Sequence, residues 1–387
     1  MEQRKAADVS LQGGNGGSDC AELKGQNREA ERETLSSDVK PDGWDRKEIL
    51  ERREQKTGLE SQKRKKVQTA RQVSSHSLAA LYRKEMTDHI TSRRFVIIML
   101  LVTATTIASI YGASVGLPEA LESNRDFVFL KLYTTGGNSI PSYMAFIALI
   151  GPFVGLMLGF DAINSERNNG TLNRLLSQPI YRDSVIIGKF LAGISLISIM
   201  VISTGVLIGA AGFLQIGIAP SGEEVIRVLV YLFYTIVYIG FWLAISMLFS
   251  VVCRHSATSA LASIALWIFF AVFMSLLASI TANALFPVSN QYDAMVNSMS
   301  NYNCELYLNR ISPYYLYGEA ASTILNPAVR AVNAVTVSQL VGAISGYLSL
   351  GQSLLLVWPH LLALAALTLA AFAISYVKFM RQEIRGN

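Results

Sequence analysis

Between Arg254 and Asp293 lie 38 consecutive residues without an Asp, Glu, Lys or Arg, and between Arg330 and Lys378 lie 47. A helix on the surface of a soluble globule turns a charged or polar face to water. Uncharged runs of this length fit a bilayer core instead, which one helix crosses with about 20 apolar residues. Charge is segregated to match: residues 1–75 hold 16 Lys/Arg and 14 Asp/Glu, whereas the other 312 residues hold only 17 and 14. The chain therefore reads as an all-α polytopic membrane protein behind a polar tail. Six transmembrane helices are expected, near Phe95–Val115, Tyr143–Ala162, Val185–Phe213, Val228–Val252, Ala257–Leu277 and Leu354–Val377. A seventh around Val332–Leu350 is rejected, because Asn333, Ser338, Gln339, Ser345 and Gly346 break it and it would carry Lys378, Arg381 and Arg385 to the outer side.

With six spans both termini are cytosolic. Twelve Lys/Arg of residues 76–387, among them Arg83, Arg93, Arg94, Arg167, Arg174 and Arg254, then flank the inner ends. Five fall outside: Arg125, Lys131, Arg227, Arg310 and Arg330. That asymmetry sets the orientation in a plasma membrane. It also accounts for the net charge of +5 without a nucleic-acid partner. Residues 1–75 are expected to be a disordered cytosolic tail, and residues 76–387 the transmembrane domain. Cys20, Cys253 and Cys304 fall in three different places, so no intrachain disulfide is expected.

From Ser77 to Arg94, apolar Leu78, Tyr82, Met86 and Ile90 recur every four residues, with Arg93 and Arg94 closing the segment. This spacing predicts an amphipathic helix at the inner membrane interface, in contact with the bilayer. At the other side, residues 285–352 are expected to form a partly helical extracytoplasmic segment, a cap partly embedded in the membrane and anchored by Tyr292, Tyr302, Tyr307, Tyr314, Tyr315, Tyr317 and Tyr347. His360 is read as a polar contact in the outer half of the last span. Metal chemistry has little to stand on. Met295, Met299 and Cys304 form a weak outer candidate for a soft ion, and apolar packing explains them better.

Several functions are disfavoured. No G-x-x-x-x-G-K-S/T loop is present, since Gly188-Lys189 is followed by Phe190, so ATP hydrolysis is not expected in this chain. No G-x-S-x-G motif points to a hydrolase. No ionisable Asp, Glu, Lys or Arg sits deep in a span, which disfavours an ion-coupled carrier.

The most telling segment joins the second and third spans. Glu166-Arg167-Asn168-Asn169 leads to Gly170, which permits a tight turn. Thr171 can cap a short helix whose apolar face is Leu172, Leu175 and Leu176, and Pro179 stops it. Arg182 and Gly188-Lys189 lead back to the membrane. A short capped helix with one apolar face suits a groove on a partner.

This run resembles the cytosolic loop of ABC-2 type transporter permeases: Glu, Gly-Thr-Leu, a leucine pair, Pro, a basic residue, then Gly-Lys. Leu81-Tyr82-Arg83-Lys84-Glu85 through Ser92-Arg93-Arg94-Phe95, and Ser312-Pro313-Tyr314-Tyr315-Leu316 before the last span, resemble them too. The likeness covers roughly residues 78–385. The long tail and the large outer segment depart from it. The resemblance implies the membrane subunit of an ATP-driven exporter: two permease copies, a homodimer or a related pair, with two cytosolic ATPase subunits that hold the ATP and Mg. It makes Glu166, Gly170, Thr171, Leu172, Leu175, Leu176, Pro179 and Arg182 the candidate coupling residues. The alternative is a non-transporting scaffold or force relay to an extracytoplasmic protein, for example in metalloenzyme maturation.

Overall fold

The computed structural model describes residues 78–123, 127–137, 139–170, 182–217, 219–327 and 348–381. The expectations for residues 1–75 and for 332–347 lie outside them. Helix α1 spans residues 78–90 and α2 runs Arg93–Ser123. Next come α3 (Val128–Thr134), α4 (Tyr143–Gly159), the short α5 (Asn164–Asn168), α6 (Arg182–Ile216) and α7 (Gly222–Val252). Then follow α8 (Ser256–Leu285, with a π-helical turn at Phe269–Phe273), α9 (Gln291–Asn309), α10 (Pro313–Leu325) and α11 (Leu350–Arg381). No strand occurs among the described residues. Among the described residues, six helical segments are long and apolar enough to cross a bilayer: α2, α4 continued through α5, α6, α7, α8 and α11. Their centres match the six spans read from hydropathy. They extend further at the ends, because a helix keeps its hydrogen bonds beyond the hydrocarbon core.

Helix α7 is the central post. It is 67% buried over its apolar window, against 28% for α2 and 17% for each of α8 and α11, so these three turn broad apolar faces outward. Against α7 lies α4, and the sequence of α4 explains how closely. Gly151, Gly155 and Gly159 repeat every fourth residue and share one face, the small-residue pattern that lets membrane helices approach backbone to backbone. A Cβ at Gly155 would stand 2.6 Å from the Ile239 carbonyl oxygen and 2.9 Å from the Leu243 nitrogen. The approach also permits interhelical hydrogen bonds: the Tyr238 hydroxyl donates to the Ala148 carbonyl at 2.9 Å and Ser246 Oγ to that of Leu156 at 2.8 Å. Backbone cannot step aside as a side chain can. Gly155→Leu should therefore prise α4 from α7 and cost at least the 1–3 kcal/mol typical of overpacking, about. Gly222→Ala, where an added Cβ meets nothing within 4 Å, should leave the melting temperature of the detergent-solubilised protein unchanged.

The segment before the last span is helical, as expected, and it lies against the spans. Helix α9 folds back along the second half of α8: Asn301 Nδ2 donates to Asn283 Oδ1 (2.9 Å) and to the Phe286 carbonyl (2.7 Å). Its end reaches the middle of α8, where Ser312 Oγ donates to the Phe270 carbonyl at 2.8 Å. That carbonyl belongs to the π-helical turn, where the regular ladder of α8 is interrupted. Ser312 also accepts from the Tyr315 amide and so caps α10, with Pro313 at its first turn. One side chain thus closes two helix irregularities. Helix α10 then climbs beside α7, with the Tyr317 ring stacked on Tyr238 at 4.1 Å.

The tyrosines divide accordingly. Tyr317 is fully buried in a cluster with Tyr231, Tyr234 and Tyr238, whereas Tyr292, Tyr302 and Tyr307 are exposed and Tyr314 and Tyr315 lie between. Tyr317 donates to the Tyr231 hydroxyl (3.2 Å) and shares a hydrogen bond with Thr235 (2.9 Å). A tyrosine whose tip is satisfied inside the bundle has no need of the interface.

Candidate functional site

The two flanks of the loop between α5 and α6 come together at the end of the bundle that carries Arg93, Arg254 and Arg381, called here the basic end. Helix α5 is fixed to α7 because Ser250 Oγ accepts from the Ile163 and Asn164 amides at 3.0 and 3.2 Å. Those are amides that a helix start leaves without intrahelical partners. The turn ends at Gly170, whose φ of +69° is left-handed; no atom lies within 4 Å of a Cβ placed there, so backbone conformation and not space calls for glycine. Thr171, Leu172, Leu175, Leu176 and Pro179 lie outside the described residues. Arg182 opens α6 and is exposed.

Beneath the loop sits a buried ionic latch. Lys189 Nζ, on α6, lies 2.8 Å from Glu85 Oε2 on α1 and 2.9 Å from Glu166 Oε1 on α5. All three side chains are under 10% exposed. Lys84, half exposed, adds weaker contacts to Glu85 (3.1 Å) and Glu166 (3.4 Å). Three segments far apart in sequence are thereby joined at one point. Burial, the largest influence on the Glu85 carboxyl, pushes its pKa up. The Lys189 ammonium and then Lys84 outweigh it and hold the group below the usual carboxylate range. The same carboxylates raise the pKa of Lys84 against the opposing effect of burial. Gly188 has its own part: a Cβ there would stand 3.1 Å from Leu81 Cδ2, so the Gly-Lys pair admits α1 and then pins it.

The residues expected to meet the membrane are placed differently from one another. In α1 the buried face is Leu81 and Glu85, with Leu78, Tyr82 and Met86 half-buried and Ile90 49% exposed. The helix packs on protein through the side carrying Glu85, a carboxylate that the fourfold apolar spacing gave no reason to place inward. Arg93 and Arg94 are exposed. Arg94 pairs with Asp161 and its guanidinium lies 5.5 Å from the centre of the Phe160 ring.

At the far end, Met295 and Met299 are 88% and 68% exposed and Cys304 is half-buried. No group of three or more His, Cys, Asp or Glu is arranged for a metal among the described residues. His360 does make a polar contact, with Glu319 Oε2 at 2.9 Å, and Arg310 Nε donates to the same oxygen at 2.9 Å. Burial pushes the Glu319 pKa up, but the hydrogen bonds from His360 and Arg310 prevail and lower it to about 2. Nothing in the sequence spacing marks Glu319 as the partner of both.

The family model described as ABC-2 family transporter protein matches residues 79–384, which take in every helix described above except the first residue of α1. One relative, Probable ABC transporter permease protein NosY of Stutzerimonas stutzeri, is 30% identical over 149 residues, covering 37% of this chain and 46% of that protein. Its namesake from Pseudomonas aeruginosa is 33% identical over 95 residues, covering 24% of this chain and 34% of that protein. The chain thus spans less than half the length of either relative.

Proposed function

The chain belongs to the ABC-2 family of transporter proteins, and from that premise we propose that it is the membrane permease of an ATP-driven exporter, coupled to a separate ATPase through the loop between α5 and α6. The observation that carries this reading is the latch. A loop that receives a mechanical stroke must be fixed at both flanks, or the stroke is spent in bending it. Here Ser250 holds one flank and Lys189 the other, and Glu85 and Lys84 tie the two flanks to α1.

In this reading the basic end is cytosolic, in accord with the excess of Lys/Arg there. Two ATPase subunits bind ATP and Mg and close on each other. The segment from Thr171 to Pro179, seated in a groove of one ATPase by Leu172, Leu175 and Leu176, moves with it. Glu166 and Lys189 pass the displacement to α4, α6 and α1. The pathway then changes access between two permease copies. The uncharged spans favour an apolar or amphipathic cargo. A force relay to an extracytoplasmic protein is the second reading, supported by the exposed Tyr292, Met295 and Met299 on α9.

The test is Leu175→Asp combined with Leu176→Asp. Charging the docking face should abolish co-purification with the ATPase encoded beside this chain and reduce ATP-dependent export to background. If both survive, the loop is not the coupling element. Retained ATPase binding and turnover with no cargo moved, but with an outer protein released, would favour the relay.

A further inference from the structure

At the basic end opens a cleft of about 750 Å³ that the latch residues Glu85, Glu166 and Lys189 help to line. Its rim is charged and its floor is apolar. Arg93, Arg94, Lys84 and His89 stand at the rim; Phe95 and Met157, from the first turn of α2 and the last turns of α4, are among the floor. Met157 is 37% exposed, so the floor opens sideways towards the bilayer as well as to water.

The lining holds four cations, Lys84, Arg93, Arg94 and Lys189, and four carboxylates, Glu85, Asp88, Asp161 and Glu166, but they are unevenly paired. Arg94 is paired with Asp161, Lys189 with Glu85 and Glu166, and Lys84 with Glu85, Asp88 and Glu166. Arg93 has no carboxylate within 4.0 Å among the described residues. His89 adds no cation at neutral pH, since burial lowers its pKa. Arg93 is therefore the one of the four lining cations without a carboxylate partner among the described residues, in a cleft whose lining also includes Phe95 and Met157.

We propose that the cleft binds one anionic phospholipid from the leaflet at this end, its phosphate on Arg93 with Arg94 beside it and the start of its acyl chains over Phe95 and Met157. A soluble anion would satisfy Arg93 and leave the floor wet; an apolar molecule would fill the floor and leave Arg93 unanswered. A phospholipid does both, and guanidinium groups at a bilayer surface attract anionic headgroups. The volume lies within the roughly 300–1,000 Å³ of small-molecule sites, room for a headgroup and glycerol. The bound headgroup adjoins Lys84 and the latch, so bilayer composition reaches the coupling loop. That consequence rests on the function proposed above; the binding itself does not.

The full-length protein, purified in detergent, is mixed with dioleoylphosphatidylglycerol, dioleoylphosphatidylcholine or inorganic phosphate, and retained adducts are counted by native mass spectrometry. One phosphatidylglycerol per chain is expected, held at least about five-fold better than phosphatidylcholine. The R93Q/R94Q pair should lose it, and so should Met157→Trp, which fills the floor and leaves every charge in place. Arg83→Gln, exposed and outside the cleft, should retain it. Equal retention by R93Q/R94Q or by Met157→Trp overturns the assignment. So does equal loss in Arg83→Gln, which would mean diffuse surface attraction, or displacement by millimolar phosphate, which would mean a soluble-anion site. The measurement uses neither the ATPase nor membrane orientation, so its failure leaves the permease reading intact.

Discussion

Replacing Arg227 with methionine should destabilise the protein by about 3–5 kcal/mol, the cost of removing one partner from a buried charged network. The guanidinium is fully buried and all five of its N–H groups are used. Nε donates to Glu223 Oε1 at 3.0 Å. One terminal nitrogen donates to the Ile324 carbonyl (3.1 Å) and Ser353 Oγ (3.0 Å), the other to Glu223 Oε1 (2.8 Å) and the Leu348 carbonyl (2.7 Å). The ring of Phe127 lies 5.7 Å beneath. These contacts gather α7, the end of α10 and the start of α11 at the far end of the bundle. The Ile324 carbonyl lies in the last turn of α10, which leaves its acceptors without intrahelical partners, and the Leu348 carbonyl precedes α11; in such surroundings an unsatisfied carbonyl is costly. Methionine keeps the volume and removes every donor. Lysine keeps the charge but has three donors on one nitrogen and cannot span the fork, so Arg227→Lys should recover only part of the loss. Thermal unfolding of the detergent-solubilised variants would rank them wild type, Lys, Met; Met equal to wild type would mean that Arg227 is not a structural clamp.

Arg227 also shows where reading a sequence stops. It was counted among charges outside the membrane, and by position along the chain it does flank a span. Its burial depends on Ile324, Leu348 and Ser353, which are about a hundred residues away and carry no mark of the contact. The six spans were legible because lipid imposes one simple condition, length without charge, that a window of some twenty residues can test. The loop was legible as a pattern, Glu, Gly-Thr-Leu, Pro and Gly-Lys, but the pattern conceals why its members are there. Gly188 admits Leu81, and Lys189 closes on carboxylates from two other segments. Glu85 stands out in the sequence only as the end of the Leu81–Glu85 run that resembles the family's leading helix. A buried carboxylate looks the same in sequence as a solvated one, and only a partner 104 residues on distinguishes them. A partly embedded cap is what the tyrosines suggest, but the contacts that seat it leave no mark in the spacing. The hydrogen bonds of Asn301, Ser312 and Tyr317 are what allow that segment to lie against α8 and α7.

Removing Lys189 should have an effect of comparable size with a different signature. Lys189→Met leaves Glu85 and Glu166 buried near each other without the ammonium between them, and breaking such a group costs about 3–5 kcal/mol. The damage should be local. Amides of residues 78–90 should lose protection from hydrogen exchange, because Leu81 packing and the Lys84 contacts alone must then hold α1. If the latch transmits the stroke of the ATPase, ATP turnover by the complex should also become insensitive to this subunit while the two still co-purify. Acid separates the ionic explanation from simple loss of packing. In the wild type the Glu85 pKa is depressed below its unfolded value. Its contribution is thus fully present above the ordinary carboxylate range of about 4.3 and is lost as pH falls through the depressed value. Protection of residues 78–90 should be flat from neutral pH to about 5 and then decline. In Lys189→Met the influence that outweighed burial is gone, so Glu85 takes up a proton more readily and mild acid should restore part of the protection. The two proteins should respond to the same acidification in opposite directions. Adding Glu85→Gln to Lys189→Met, which removes one stranded charge at nearly constant volume, should recover part of the loss at neutral pH. A Lys189→Met variant whose α1 exchange matches the wild type across this range would show that the latch does not hold the helix.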